Sequence, residues 1–95
     1  MAGRVGIGAV LWQERAGGAI YVQSLLKGSV AEMSGIMPGD QLMSVNGAPV
    51  DKGWDVVAVT HTLDGEWGTK LELVLIGGAQ GNRQDKVYSV ELVRS

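Results

Sequence analysis

Residues 18–47 read GAIYVQSLLKGSVAEMSGIMPGDQLMSVNG and alternate short apolar runs with turn-forming residues. Ser29 is followed three positions later by Glu32, and this capping box predicts the start of a short helix. The apolar run before Asn46-Gly47 is typical of a strand, and the Asn-Gly pair favours a turn with positive φ. The block therefore predicts a strand, a short helix and a second strand in close succession.

Two segments outside this block, residues 69–76 and 86–93, carry the period-two alternation of half-buried strands along their whole length. Residues 5–13 predict a further strand, which is entered through a glycine loop. With the central block they predict an α+β fold, a small, partly open antiparallel β-barrel or sandwich of five to six strands with two helices.

The second helix rests on residues 54–63, WDVVAVTHTL, which support two interpretations. Three valines and two threonines favour a strand on propensity alone. Asp51 or Asp55 can cap the start of a helix, and Asp64-Gly65 can end one. Local sequence leaves both interpretations open.

The composition predicts one folded domain over residues 1–95, of which residues 1–3 could be an addition. Apolar residues make up 45% of the chain and charged residues 19%, enough for a core and too few charges for disorder. Eight basic residues lie scattered in a chain of net charge −2, so we expect no nucleic-acid partner. No apolar run approaches the length of a membrane span, so we expect no membrane insertion, and the compartment stays open.

Residues with catalytic or ligating chemistry are sparse. The chain has no cysteine, and its single histidine, His61, stands beside Thr60 and Asp64 without a recognisable triad signature. A groove-rim or solvent-facing position is the preferred interpretation of His61. We therefore expect a chain that is not an enzyme and that holds no metal and no cofactor.

Three parts of the sequence together resemble a PDZ domain over nearly the whole chain. These parts are Gly6-Ile7-Gly8-Ala9, the block at 18–47 and LDGEWGTKLELVL at 63–75. The extra strand at 86–93 is similar to that of circularly permuted PDZ modules in bacterial and organellar proteases. The 63–75 segment resembles a run found in carboxy-terminal processing proteases.

The resemblance implies that the glycine loop binds the terminal carboxylate of a peptide. The donors would be the backbone amides of Ile7, Gly8 and Ala9, because successive N–H groups form an anion site without a cationic side chain. Side chains in place of Gly6 and Gly8 would obstruct this approach. The alternative from the residues alone is that the glycines serve only a tight bend.

The resemblance further implies a groove between the strand at 9–13 and a helix at 54–63, where a peptide joins as an extra antiparallel strand. The implied groove residues are Val10, Leu11, Trp12, Gln13, Val56, Thr60 and Leu63. At the start of the helix, the alignment with the family places either Val56 or Asp55 opposite the peptide residue two positions before the end. Ala9 stands where the family usually has a large apolar residue, so a pocket walled by Ile7, Leu11 and Leu63 would take a bulky apolar last residue.

Three functions follow from this sequence. The leading one is a non-catalytic module that binds the C-terminal tails of partner proteins. The second is the same module acting as a regulatory or substrate-sensing part of a protease. The third is a structural domain whose groove is filled internally or which self-associates through the edge strand.

Overall fold

Eight strands and two helices make up the described part of the chain, which is residues 4–50, 54–79, 81 and 83–95 of a computed structural model. The strands are β1 (Arg4–Val5), β2 (Ala9–Gln13), β3 (Ile20–Leu25), β4 (Gln41–Val45), β5 (Ala48–Pro49), β6 (Gly65–Glu66), β7 (Lys70–Ile76) and β8 (Val87–Val93). The helices are α1 (Val30–Met33) and α2 (Val56–Leu63). The proposed addition at residues 1–3 and the proposed cap Asp51 lie outside the described residues.

The main sheet has six strands, in the order β2-β3-β4-β7-β8 with β5 paired to β4. Neighbouring strands are antiparallel, and β1 pairs with β6 in a separate two-stranded ribbon. β2 and β8 are the terminal strands of the main sheet, so it is open. The predicted α+β fold with an open antiparallel sheet and two helices is confirmed.

The core lies against the inner face of this sheet. Alternate leucines of β7 have no more than 2% of their surface exposed, as the alternation at 69–76 predicts. β8 lies beside β7 along its whole length, which confirms the additional C-terminal strand. The buried apolar residues are Ile7, Ile20, Val22, Ala31, Ile36, Leu42, Val45, Val59, Leu63, Leu71, Leu73, Leu75 and Leu92.

α1 begins where the capping box predicts. The Oγ atom of Ser29 accepts a hydrogen bond from the Glu32 amide at 3.2 Å. The Glu32 carboxylate in turn accepts one from the amide of Gly28, at 2.8 Å. One otherwise unpaired amide of the first turn, that of Glu32, is thus satisfied, together with the amide of Gly28 just before the N-cap, so a helix of only one turn is held at a fixed position.

α2 begins two residues later than the predicted segment, and its formation overrides the β-propensity of its valines. The Asp55 side chain accepts a hydrogen bond from the Ala58 amide at 2.7 Å, which makes Asp55 the N-cap. Val59 and Leu63, four residues apart, are buried on one face. Tertiary burial of this face stabilises the helix by more than the weak local propensity opposes it.

A buried carboxylate attaches the C-terminal hairpin to the rest of the fold. Asp40 has 2% of its surface exposed, and it accepts a hydrogen bond from the Gly78 amide at 2.8 Å and another from the Tyr88 hydroxyl. The guanidinium of Arg83 lies 4.3 Å from the centre of the Tyr88 ring. Burial, and secondarily the bond to Asp40, raise the pKa of Tyr88 above its ordinary value.

We expect Tyr88→Phe to lower the free energy of unfolding by about 1–2 kcal/mol at neutral pH, because Asp40 loses a donor. In the native protein the raised pKa of Tyr88 contributes stability below about pH 10, where unfolded tyrosine is protonated, and this contribution is lost as the pH rises further. The variant should therefore lose less stability than the native protein above that pH. Urea unfolding at a series of pH values measures both effects. Equal declines in the native protein and Tyr88→Phe would refute the expectation.

Candidate functional site

β2 exposes backbone hydrogen-bonding groups at the open edge of the sheet. Its ends are fixed by two bonds, from the Leu26 amide to the Gly8 carbonyl at 2.8 Å and from the Glu14 amide to the Ala19 carbonyl at 3.3 Å. In an antiparallel pair of strands, every second pair of facing residues exchanges no hydrogen bonds, and the N–H and C=O groups of these residues point away from the partner strand. Such a pair is recognised by the hydrogen bonds between the residues on either side of it. Every second residue of β2 therefore directs both groups away from β3. These residues are Ala9, Leu11 and Gln13.

An open groove of about 540 Å³ separates this edge from α2. The structure brings five of the sequence-predicted residues to it, two on the helix and three on the strand. The groove also includes two further α2 residues, Val57 and His61, and the C-cap Asp64; none of the three was predicted to line the groove, although His61 was expected at a groove rim or in solvent. The lining residues are Ala9, Val10, Leu11, Val56, Val57, Thr60, His61 and Asp64.

Other predicted residues lie elsewhere. Leu63 and Ile7 are core residues, each with 3% of its surface exposed. On α2, Val59 and Leu63 form the face that packs against the core. The face toward the groove contains Thr60 and, about one turn later, Asp64, so Leu63 does not belong to it. The structure thus brings neither Leu63 nor Ile7 to the groove surface.

The side chains of Trp12 and Gln13 do not line the groove either. Trp12 alternates with Leu11 and lies on the opposite face of β2, where it stacks against Tyr21. The Nε2 atom of Gln13 donates to the carbonyls of Trp54 and Gly18, each at 3.1 Å. Gln13 thereby links the end of β2 to the segment that leads into α2, and so helps to set the distance between the two walls.

In the loop before β2, the backbone carbonyls accept hydrogen bonds, whereas two backbone amides have no acceptor among the described residues. The Ile7 carbonyl accepts from the Ala31 amide at 3.1 Å, and the Gly8 carbonyl from the Leu26 amide. Within the described residues, the amides of Ile7 and Gly8 donate no hydrogen bond to the protein. The loop is therefore held in place through its carbonyls, and these two amides are available to an anion.

Gly8 is required by both conformation and space. Its φ is +87°, and a Cβ atom at this position would lie 2.2 Å from the Cβ of Ser29, the N-cap of α1. At Gly6 a Cβ atom would lie 2.9 Å from Oδ1 of Asp64. The absence of side chains therefore lets the loop pass close to the start of α1 and to the end of α2.

Arg94 fixes the end of α2, and this residue was not predicted from the sequence. Although cationic, it has only 8% of its surface exposed. Its guanidinium donates to the carbonyl of Leu63 at 2.9 Å, that of Thr62 at 3.1 Å and the hydroxyl of Thr69 at 2.9 Å. A cation at a helix C-terminus also interacts favourably with the helix dipole. No local motif signals this role, because it depends on where β8 ends.

The described residues contain no group of three or more histidine, cysteine, aspartate or glutamate side chains able to hold a metal ion. No helix among them is long and apolar enough to cross a membrane.

Comparisons with known proteins give a consistent set of relatives. A family model described as PDZ domain matches residues 1–74. The chain is 43% identical over 77 residues to the carboxy-terminal processing protease CtpA of Bacillus subtilis (strain 168), which covers 81% of the chain and 16% of that protein. It is 35% identical over 88 residues to a probable CtpA-like serine protease of Staphylococcus saprophyticus, with 88% and 17% covered. The chain thus spans about a sixth of the length of these curated relatives.

Two solved structures resemble the fold closely. One is the PDZ domain of a carboxy-terminal protease from Vibrio cholerae in complex with peptide, with a TM-score of 0.75 and 30% identity over 97% of this chain and 95% of that one. The other is the photosystem II D1 C-terminal processing protease, with a TM-score of 0.80 and 26% identity, covering 97% of this chain and 23% of that one.

Proposed function

The chain belongs to the PDZ domain family, and on this premise we propose that residues 1–95 form a single non-catalytic domain that binds the C-terminal tails of proteins. The observation that carries the proposal is the edge strand β2, whose alternate N–H and C=O groups face the groove beside α2. A peptide added there as an antiparallel strand satisfies these groups along its whole backbone. The likeness to a PDZ domain solved with peptide supports this mode.

The terminal carboxylate binds at the glycine loop, in this proposal. The amides of Ile7 and Gly8 are without a protein acceptor in the described residues, and Ala9 directs its amide to the same edge. Three neighbouring N–H dipoles supply an anion site by themselves.

The last side chain of the tail lies next to Ala9 and Leu11. Alanine at position 9 occupies little of the groove, and both residues are apolar and half-buried. Burial against them favours a bulky apolar last residue over a small or charged one. Farther along, Val56 and Val57 give the α2 wall an apolar start, which favours an apolar residue two positions before the end.

The parent protein in this proposal is a carboxy-terminal processing protease, in which the domain senses substrate tails or regulates access to a catalytic domain. Both curated relatives have printed names of this kind, and the chain covers only about a sixth of each. The reaction would therefore take place on residues outside this chain. Binding of tails by the domain would hold a substrate near them at raised local concentration.

Self-association is the second candidate, because the edge of β2 that accepts a tail could also accept a strand of another copy. The two candidates differ in their dependence on a free carboxylate. A domain-domain contact through β2 should make the isolated domain dimeric, and an added tail should dissociate the dimer. Sedimentation at several concentrations, with and without peptide, distinguishes them.

The test of the proposed function is fluorescence anisotropy with labelled peptides that end in leucine, each made with a free and with an amidated C-terminus. We expect free peptides to bind with dissociation constants on the order of micromolar, and amidation to weaken binding at least about tenfold, since the loop loses a charged acceptor. Peptides ending in aspartate are the control for side-chain preference and should bind more weakly. Equal binding of free and amidated peptides would refute the proposal.

A further inference from the structure

The outer face of β2 carries an aromatic pair that the groove does not use. Trp12 stacks on Tyr21 of β3, with ring centres 5.2 Å apart and an angle of 25° between the planes. The two residues are direct cross-strand partners. Trp12 nevertheless keeps 42% of its surface exposed, because no strand among the described residues pairs with the other side of β2.

The register of an added tail follows from the ladder of β2. With the carboxylate at the loop amides, the last tail residue bonds to Ala9, and the antiparallel direction then pairs the third-last residue with Leu11. The side chains of these tail residues share the inner face with Ala9 and Leu11. The intervening tail residues lie on the outer face, and the fourth residue from the end lies directly opposite Trp12.

We infer that Trp12 is a specificity-determining residue that selects an aromatic side chain at the fourth position from the end of the bound tail. This inference rests on the proposed function and deepens it. Tyr21 covers Trp12 from the β3 side, whereas the side toward the open edge is free for the tail. An aromatic residue there continues the stack across three neighbouring strands, and such pairs stabilise association beyond their burial.

The charges around Trp12 favour an aromatic residue over an ionic one. The outer-face pairs at this edge are Val10 with Ser24 and Trp12 with Tyr21, and none of the four is an acidic or basic residue. A charged tail residue would find no partner in these pairs. The surface thus offers an uncharged, partly exposed aromatic face to an uncharged aromatic residue.

A double-mutant cycle tests the inference. We would titrate two leucine-terminated peptides, one with phenylalanine and one with alanine at the fourth position from the end. Each is added to the native domain, to Trp12→Val and, as a matched control, to Trp67→Ala. Trp67 is a second exposed tryptophan that does not line the groove. Valine keeps the β-propensity of position 12, and binding of the alanine peptide to each variant reports whether its groove is intact.

We expect the native domain to prefer the phenylalanine peptide by about threefold to tenfold, Trp12→Val to lose this preference and Trp67→Ala to keep it. Trp12→Phe should retain most of it. A preference that persists in Trp12→Val, or no preference in a native domain that binds both peptides in a carboxylate-dependent way, would overturn the inference and leave the proposed function standing. If neither peptide binds the native domain, the proposed function fails and the inference fails with it.

Discussion

Gly8→Ala is expected to destabilise the domain by about 2–4 kcal/mol and to abolish measurable binding of peptide tails. Two costs combine in this substitution. A φ of +87° places alanine in the left-handed region, at about 1–2 kcal/mol. The added Cβ atom would also lie 2.2 Å from the Cβ of Ser29, so the loop or the N-cap of α1 must move. Urea denaturation and anisotropy titration measure the two effects.

Gly68→Ala is the matched control for Gly8→Ala. Gly68 has nearly the same φ, +85°, but a Cβ atom there would meet no atom of the described residues within 4 Å. We therefore expect only the conformational cost, about 1–2 kcal/mol, and unchanged peptide affinity. Equal losses of stability in the two variants would show that the approach to Ser29 contributes nothing. Native affinity in Gly8→Ala would contradict the role given to the loop.

Arg94→Met is expected to lower the free energy of unfolding by about 3 kcal/mol. The variant keeps the length and apolar stem of the side chain but leaves the carbonyls of Thr62 and Leu63 without this donor at the buried end of α2. Loss of a partner for a buried polar group costs about 1–3 kcal/mol per group, and the favourable charge at the helix C-terminus is lost as well. We expect peptide affinity to fall too, since this end of α2 lies beside the loop.

Arg15→Met is the matched control for Arg94→Met, because the Arg15 side chain is exposed in the hairpin between β2 and β3. We expect it to change stability by no more than about 0.5 kcal/mol. Arg94→Lys keeps the charge but not the fork of donors, so its stability should lie between those of the native protein and Arg94→Met. Native stability in Arg94→Met would contradict the role of Arg94 at α2.

Features determined by neighbouring residues were predictable from the sequence. The capping box at Ser29 fixed the start of α1, and Asn46 and Gly47 adopt φ values of +50° and +81° as the turn requires. Alternation along 69–76 identified the buried leucines of β7. These predictions succeed because the residues that decide the structure are at most a few positions apart.

Features determined by contacts between distant residues were harder to predict from the sequence. The valines of α2 favour a strand, and only the family resemblance indicated the helix that burial of Val59 and Leu63 stabilises. Leu63 was expected in the groove because it shares a helix face with Val56 and Thr60, but the groove is lined by Asp64 instead. Arg94 and Gln13 contact segments about 30 and 41 residues away, so no local pattern could indicate their hydrogen bonds.

Nitrogen–proton correlation NMR of the isolated domain, titrated with a leucine-terminated peptide in its free and amidated forms, tests most directly whether the loop and groove bind a tail through its carboxylate. We expect the amide signals of residues 7–11 and 56–64 to shift with the free peptide and these shifts to disappear on amidation. Shifts that are the same for both peptides, or that leave the amides of residues 7–9 unmoved, would contradict this expectation.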